Sequence, residues 1–218
     1  MSYFNLQTGT KHIRQRFDGF LPVVVDLETS GCIAATDGIL EIAVVTLRFN
    51  DQGYLQPDTV FACNVEPFPG ARIDRRSIEV NGINVAQPFR FALSEEFALK
   101  QLFDFVRQTV RYQGCRKALL VGHNAHFDLN FIIAASERWQ LRKRNPFHSF
   151  TCLDTATLSG LNYGITVLAR AAKAAGIRFD HRQAHSAVYD VQVTAKLFCQ
   201  IVNHFDLQNW GGMLPPKF

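Results

Sequence analysis

Short apolar runs alternate along the chain with longer amphipathic ones, separated by Gly, Pro and Asn/Asp punctuation. P-V-V-V-D-L-E (22–28) reads as a first strand and I-L-E-I-A-V-V-T-L-R-F (39–49) as a second. The turn signal N-D-Q-G (50–53) predicts a hairpin into a third strand over about 58–66, which E-P-F-P-G then ends. Residues 71–81 predict a short helix ending at N-G. Ser94 reads as a helix cap without a capping box, because Phe97 stands three residues on. S-E-E then opens an amphipathic run to about 112, with Phe97, Leu102, Phe105 and Val106 at helical spacing. A-L-L-V-G-H-N (118–124) predicts a buried strand running into a loop, F-D-L-N-F from 127 a helix, and F-T-C-L-D (150–154) another strand. T-V-L-A-R-A-A-K-A-A-G (166–176) predicts a helix closed by Gly176 at its C′ position, and S-A-V-Y-D-V-Q-V-T-A-K-L-F-C-Q-I-V (186–202) the last helix. Residues 1–19 are polar and basic (Lys11, Arg14, Arg16) and predict an arm or short helix; residues 211–218 read as a tail. With no repeat and no linker, the 218 residues predict one α/β domain with a mixed central sheet flanked by helices.

The first strand is interrupted by acids. Asp26 and Glu28, at i and i+2, point to the same side. Two carboxylates on one face of a buried strand repel each other and lose hydration, so such a pair is rare unless a cation meets it, and a capped or solvated edge is the weaker reading here. Asp128 follows G-H-N-A-H-F and opens a helix; Asp190 lies one turn into the last helix. Taken singly, Asp128 also reads as a first-turn acid and Asp190 as a partly buried polar residue with a satisfied partner. Oxygen-only ligands point to a hard cation, Mg²⁺ or Mn²⁺, rather than zinc. Two such ions ~3.5–4 Å apart form a clamp for in-line displacement at a phosphate.

His185 stands five residues before Asp190, a rotation of about 140° on a helix. With Ser186 as N-cap, His185 falls on the preceding loop. It reads there either as a general base for the attacking water or as a surface loop histidine. His123-x-x-His126-x-Asp128 lacks the Cys or further His that would complete a tetrahedral zinc set. Neither the phosphate-cradling G-x-x-x-x-G-K nor the dinucleotide G-x-G-x-x-G is present.

Composition adds little to this. It is 47% hydrophobic and 19% charged, which is ordinary globular material, and the 19 phenylalanines leave some beyond the core for stacking on a ligand. A net charge of +4 fits a polyanionic partner as well as it fits a mildly basic protein. Five scattered cysteines with no C-x-x-C pair argue against a disulfide framework or structural zinc and for a reducing compartment. The N-terminal residues carry no signal-peptide apolar core, and no apolar run approaches the ~20 residues of a membrane span. The expectation is a cytoplasmic protein without a membrane partner.

D-L-E (26–28), H-N-A-H-F-D (123–128) and H-S-A-V-Y-D (185–190), in that order, resemble the three exonuclease motifs of the DEDD superfamily, and the H-x4-D spacing resembles its His-containing DEDDh branch. N-G-I (81–83) and C-L-D-T (152–155) also look like features of that family. V-E-P-F (65–68), K-R-N-P-F-H-S-F (143–150) and Q-A-H-S-A (183–187) extend the likeness, over nearly the whole chain, to the RNase T-like group. The resemblance implies an RNase H-like fold and 3′→5′ hydrolysis releasing 5′-mononucleotides. It implies that Asp26, Glu28, Asp128 and Asp190 hold two Mg²⁺ ions, with Mn²⁺ as a substitute, and that His185 is the base. It implies trimming of the single-stranded 3′ ends of tRNA and other stable RNAs, and digestion of single-stranded DNA. Phenylalanines wedge and stack the terminal bases in such enzymes; Phe127 and Phe150 match two of those positions, with core packing as the other reading of each. Cys32 and Val80 depart, standing where phenylalanine is found in a relative. The group works as a homodimer in which a basic patch of one protomer guides substrate to the other's site. Candidates for that patch are Arg16, Arg111, Arg116, Lys117, Arg142, Lys143 and Arg144, or these are solvated helix ends and loops. The motif set alone also fits a proofreading-type DEDDh DNA exonuclease or a non-catalytic nucleic-acid-binding domain. The basic runs argue against the first, and the retention of mutually repelling acids argues against the second.

Overall fold

The computed structural model describes residues 12–211, so Lys11, the rest of the expected basic arm before it and the tail from residue 212 lie outside the described residues. What remains of the N-terminal expectation is one helical turn, α1 (Ile13–Arg16).

The central strand, β1 (Phe20–Thr29), carries Val23, Val24 and Val25 fully buried in succession. Successive strand side chains face opposite ways, so both faces of β1 are covered. β1 pairs antiparallel with β2 (Ile39–Phe49), which pairs antiparallel with β3 (Leu55–Glu66). β3 takes the two-residue β4 (Leu93–Ser94) in parallel. On its other side β1 pairs in parallel with β5 (Lys117–Gly122), and β5 in parallel with β6 (Phe147–Asp154). The order β4-β3-β2-β1-β5-β6 is the expected mixed sheet.

Helices α3 (Glu95–Tyr112) and α4 (His126–Arg138) contact the sheet and each other, and α7 (Ala187–Trp210) lies across β1, β2 and β3. A smaller apolar cluster joins α5 (Thr155–Tyr163) and α6 (Leu168–Ala174) to α7 through Ala171, Ala175, Leu197 and Ile201. α2 (Arg75–Asn81) follows the loop after β3. Among the described residues no helix is long and apolar enough to cross a membrane.

Four local expectations need correction. Helix α5 was not legible in T-A-T-L-S-G-L-N-Y, where Thr, Ser, Gly and Asn outnumber the Ala and Leu residues; Asp154 caps it by accepting from the Ala156 and Thr157 N–H groups, and Gly164 in the left-handed region ends it. β3 starts at Leu55, ahead of Pro57, because β4 engages β3 only at Val65 and Glu66 and leaves the edge beside Pro57 unpaired. Ser94 occupies the N-cap of α3 but makes no capping bond, and Phe97 is half exposed, while Ala98, Leu99, Leu102, Phe103 and Val106 form the buried face. β6 starts at Phe147, not 150. Ala118 pairs with Phe147 and Leu120 with Cys152, so the residues between bulge outward, held where His148 Nδ1 accepts from the Phe150 and Thr151 N–H groups.

Candidate active site

The site forms where β1 outruns its neighbour. The last β1–β5 pair is Val24 with Val121, and beyond it the Leu27 N–H donates to Asp128 Oδ1 at 3.0 Å. A buried N–H must find an acceptor, and here a side chain at the start of α4 supplies it. Gly122, the last residue of β5, makes that approach feasible: a Cβ there would stand 3.1 Å from the Ala125 Cα and 3.2 Å from Asp128 Oδ2. Asp154 Oδ1 accepts from the Asn124 N–H at 2.8 Å, so the residue that caps α5 also holds the loop leading into α4.

His123 is tied into the same loop. Its Nε2 lies 2.7 Å from the Thr166 carbonyl and its Nδ1 3.0 Å from Thr155 Oγ1. A carbonyl only accepts, so Nε2 carries the hydrogen; burial holds the ring below its ordinary pKa, and Nδ1 faces the Thr155 hydroxyl, which also donates to the Gly122 carbonyl at 3.1 Å. Both nitrogens are used, which removes His123 from any metal set.

Asp26 and Glu28 share one face of β1, as their spacing requires. Across the β1–β2 ladder Glu28 stands opposite Glu41, a fifth carboxylate that sequence reading missed. Glu28, His185 and Asp190 bring ligand atoms within 4.8 Å of one another. His185 lies on the loop before α7 with φ +64°, the left-handed region, and its N–H donates to Asp190 Oδ2 at 2.9 Å. Ser186 takes the N-cap, but through its carbonyl and not its hydroxyl.

Burial raises all four acids, and neighbouring carboxylates raise Asp26 and Glu28 further. Asp26 is held well above the ordinary carboxylate range by burial, then by Asp128, Glu28, Asp190 and Glu41. Glu28 is pushed up to about 8 by burial, then by Glu41 and Asp190, against a lowering hydrogen bond from Asn81. Asp128 and Asp190 are raised by burial, with the Leu27 and His185 N–H groups pulling the other way. Asp190 Oδ1 is buried with no hydrogen-bond partner. An all-oxygen donor set that resists ionisation without a counter-charge, and carries an orphaned carboxylate oxygen, fits a hard divalent cation.

The other expected residues lie apart. Cys32 is exposed on the loop after β1 and Val80 is exposed in the last turn of α2. The two segments are laced at the acid end of β1: Asn81 Nδ2 donates to the Thr29 carbonyl, and the Asp74 N–H to the Ser30 carbonyl. Phe127, next to Asp128, is half-buried with its ring 4.9 Å from that of Phe131. Phe150 is 87% exposed on the β6 bulge, which removes core packing as its explanation. It lines a groove of about 410 Å³ with Lys117 and Arg142, and none of the four acids borders that groove. Arg111, Arg116, Lys117, Lys143 and Arg144 converge with Arg107 on a second, basic groove. Arg144 pairs there with Asp104, and Arg116 with Asp18. Arg16 is not on that groove. Its Nε bonds Asp206 at 2.9 Å and its guanidinium lies over Phe17 and Trp210, a contact that anchors α1 to α7.

Solved structures share this arrangement of sheet and helices. E. coli exonuclease I in complex with a dT13 oligonucleotide aligns with a TM-score of 0.63 at 17% identity, over 88% of this chain and 43% of that one. A full-length 3′-exonuclease aligns with a TM-score of 0.64 at 18% identity, over 85% of this chain and 61% of that one. The chain thus spans less than half the length of exonuclease I. These likenesses define the fold as RNase H-like. Residues 23–198 match the RNase T exonuclease family model, and over 192 residues the chain is 52% identical to Ribonuclease T of Vibrio parahaemolyticus, covering 88% of this chain and 89% of that relative. The chain belongs to the RNase T exonuclease family: it is a nuclease of the hydrolase class, with 3′→5′ exonuclease activity and a dependence on divalent metal.

Proposed function

We propose that residues 1–218 act as one exonuclease domain that trims the single-stranded 3′ ends of tRNA and other stable RNAs in the cytoplasm, releases 5′-mononucleotides and also digests single-stranded DNA. The observation that carries this reading is the gathering of Glu28, His185 and Asp190 within 4.8 Å, beside Asp26 and Asp128, in a chain 52% identical to a Ribonuclease T.

Asp26, Glu28, Asp128 and Asp190 would hold two Mg²⁺ ions, with Mn²⁺ as a substitute. Such ions neutralise developing phosphate charge and lower the pKa of water at the site. The chain's own contribution is geometric and basic. The Leu27 N–H fixes Asp128, and the His185 N–H fixes Asp190, so that the carboxylates are aimed before substrate arrives. His185 takes the proton of the attacking water on an imidazole nitrogen. Phe127 stacks a terminal base beside Asp128, with Cys32 and Val80 bordering the same end of β1. In a homodimer, the groove lined by Arg107, Arg111, Lys117 and Lys143 leads substrate from one protomer to the site of its partner, and Phe150 and Arg142 extend that path.

A 3′-labelled single-stranded RNA incubated with Mg²⁺ should yield labelled mononucleotide, and EDTA should stop it. Absence of release, or release indifferent to EDTA, refutes the reading. The fold shared with exonuclease I favours one second reading, a DNA-directed enzyme. Faster digestion of a mispaired DNA primer than of tRNA would select it.

A further inference from the structure

The first-turn N–H groups of a helix have no intrahelical acceptor. In the 24-residue α7, Ser186 holds the N-cap position but its side chain makes no capping bond. The Ala187 N–H donates instead to Glu41 Oε2, at 3.3 Å and 146 positions away in sequence. Glu41 is the one residue of Ile39–Leu47 that is not buried, so its own strand holds it firmly. It stands opposite Glu28 in the β1–β2 ladder, with both side chains on one sheet face. Arg90 steadies the same point: its Nη2 donates to the Leu40 carbonyl at 2.9 Å, and its charge acts on Glu41. One carboxylate therefore touches the helix that carries Asp190 while facing the strand that carries Glu28. A negative group at a helix N-terminus is also favoured by the helix dipole.

We propose that Glu41 is a positioning residue: from β2 it caps the N-terminus of α7 and so fixes where His185 and Asp190 stand relative to Glu28. Its acceptor oxygen carries the role, and the activity arm of the test rests on the exonuclease reading above. Losing the cap leaves the first turn of α7 free to shift, and a shift of about 1 Å in a reacting group can cost as much as 100-fold in rate.

Three proteins are compared with Mg²⁺ present: wild type, Glu41→Ala and Glu41→Gln. Glu41→Ala should lower kcat roughly 10- to 100-fold with KM held within about threefold, the split expected when a group is misplaced at the reacting centre and not when binding is lost. Glu41→Gln keeps an acceptor oxygen for Ala187 and should restore most of the rate. Amide hydrogen exchange, read without substrate, should quicken at Ala187 in Glu41→Ala and return towards wild type in Glu41→Gln. A Glu41→Ala enzyme with wild-type kcat and unchanged exchange overturns the proposal. So does a Glu41→Gln enzyme as impaired as Glu41→Ala, since that would assign the effect to charge. An inactive wild type would instead refute the exonuclease reading, and the exchange result would still decide the cap.

Discussion

Asp37 and Asp128 are almost equally buried, at 1% and 4% exposure, yet they titrate in opposite directions. Asp37, on the loop after β1, meets the Arg72 guanidinium through Nε at 3.0 Å and Nη2 at 3.1 Å, and accepts from the Ile33 N–H and the Thr36 hydroxyl. Arg72 first, then the Ile33 and Thr36 donors, hold it down at about 2. Asp128 accepts from backbone N–H groups, with no Lys or Arg paired to it among the described residues, and burial raises it. At Asp37 the guanidinium outweighs burial; at Asp128 burial leads and the backbone donors do not offset it. One acid is neutralised from within the fold; the other keeps its desolvation cost, at the place where the proposed function puts a metal.

The largest expected effect breaks the comparison at its unpaired end. Asp26→Asn removes one of the repelling acids. Exonuclease rate on RNA should fall on the order of 10³-fold or more, since metal clamping supplies several kcal/mol of transition-state stabilisation. In EDTA at alkaline pH, where the acids ionise, the same variant should melt above wild type, because a desolvated like charge is gone. A variant that melts lower and keeps its rate would show that the acids serve the fold.

Next in size is the paired end. Arg72→Leu leaves Asp37 buried without its cation. Arg72 is half exposed and solvent screens the pair, so a fall in Tm of a few °C is expected. An unchanged melting temperature would mean that the Ile33 and Thr36 donors suffice.

The smallest effect is in pH. Glu28 is pushed up to about 8, so in the metal-free protein its contribution to stability is complete below the ordinary glutamate pKa and is lost as pH rises through 8. Asp37, held down at about 2, contributes above the ordinary aspartate pKa and loses that contribution as pH falls through 2. Melting in EDTA should therefore drift downward by a few °C from pH 5 to pH 8, and saturating Mg²⁺ should flatten the drift. A drift that persists with Mg²⁺ would place the ion away from Glu28.

The pattern of residues made the sheet and the acids legible, because three consecutive valines and an i, i+2 carboxylate pair each have few physical solutions. Glu41 was hidden for a different reason. Within I-L-E-I-A it reads as an outward-facing strand residue, and only the register that sets it against Glu28 shows where it points. The Asp37–Arg72 pair joins residues 35 positions apart with no local signal. Phe150 was undecidable as core or surface until the bulge of β6 turned it out to solvent. Arg16 looked like its neighbours in charge, but the Asp206 that holds it lies at the far end of the chain. Local chemistry can be read from sequence; which distant partner meets it cannot.

His185 adopts φ +64°, a conformation that glycine reaches freely and that costs other L-residues on the order of 1 kcal/mol. A chain selected only to fold would relieve that strain with glycine. On the proposed reading the imidazole is needed at that point, so folding and chemistry ask for different residues at position 185. Drifting copies of this gene relieved of their nuclease duty should shed the histidine early, because nothing in the fold itself would hold it.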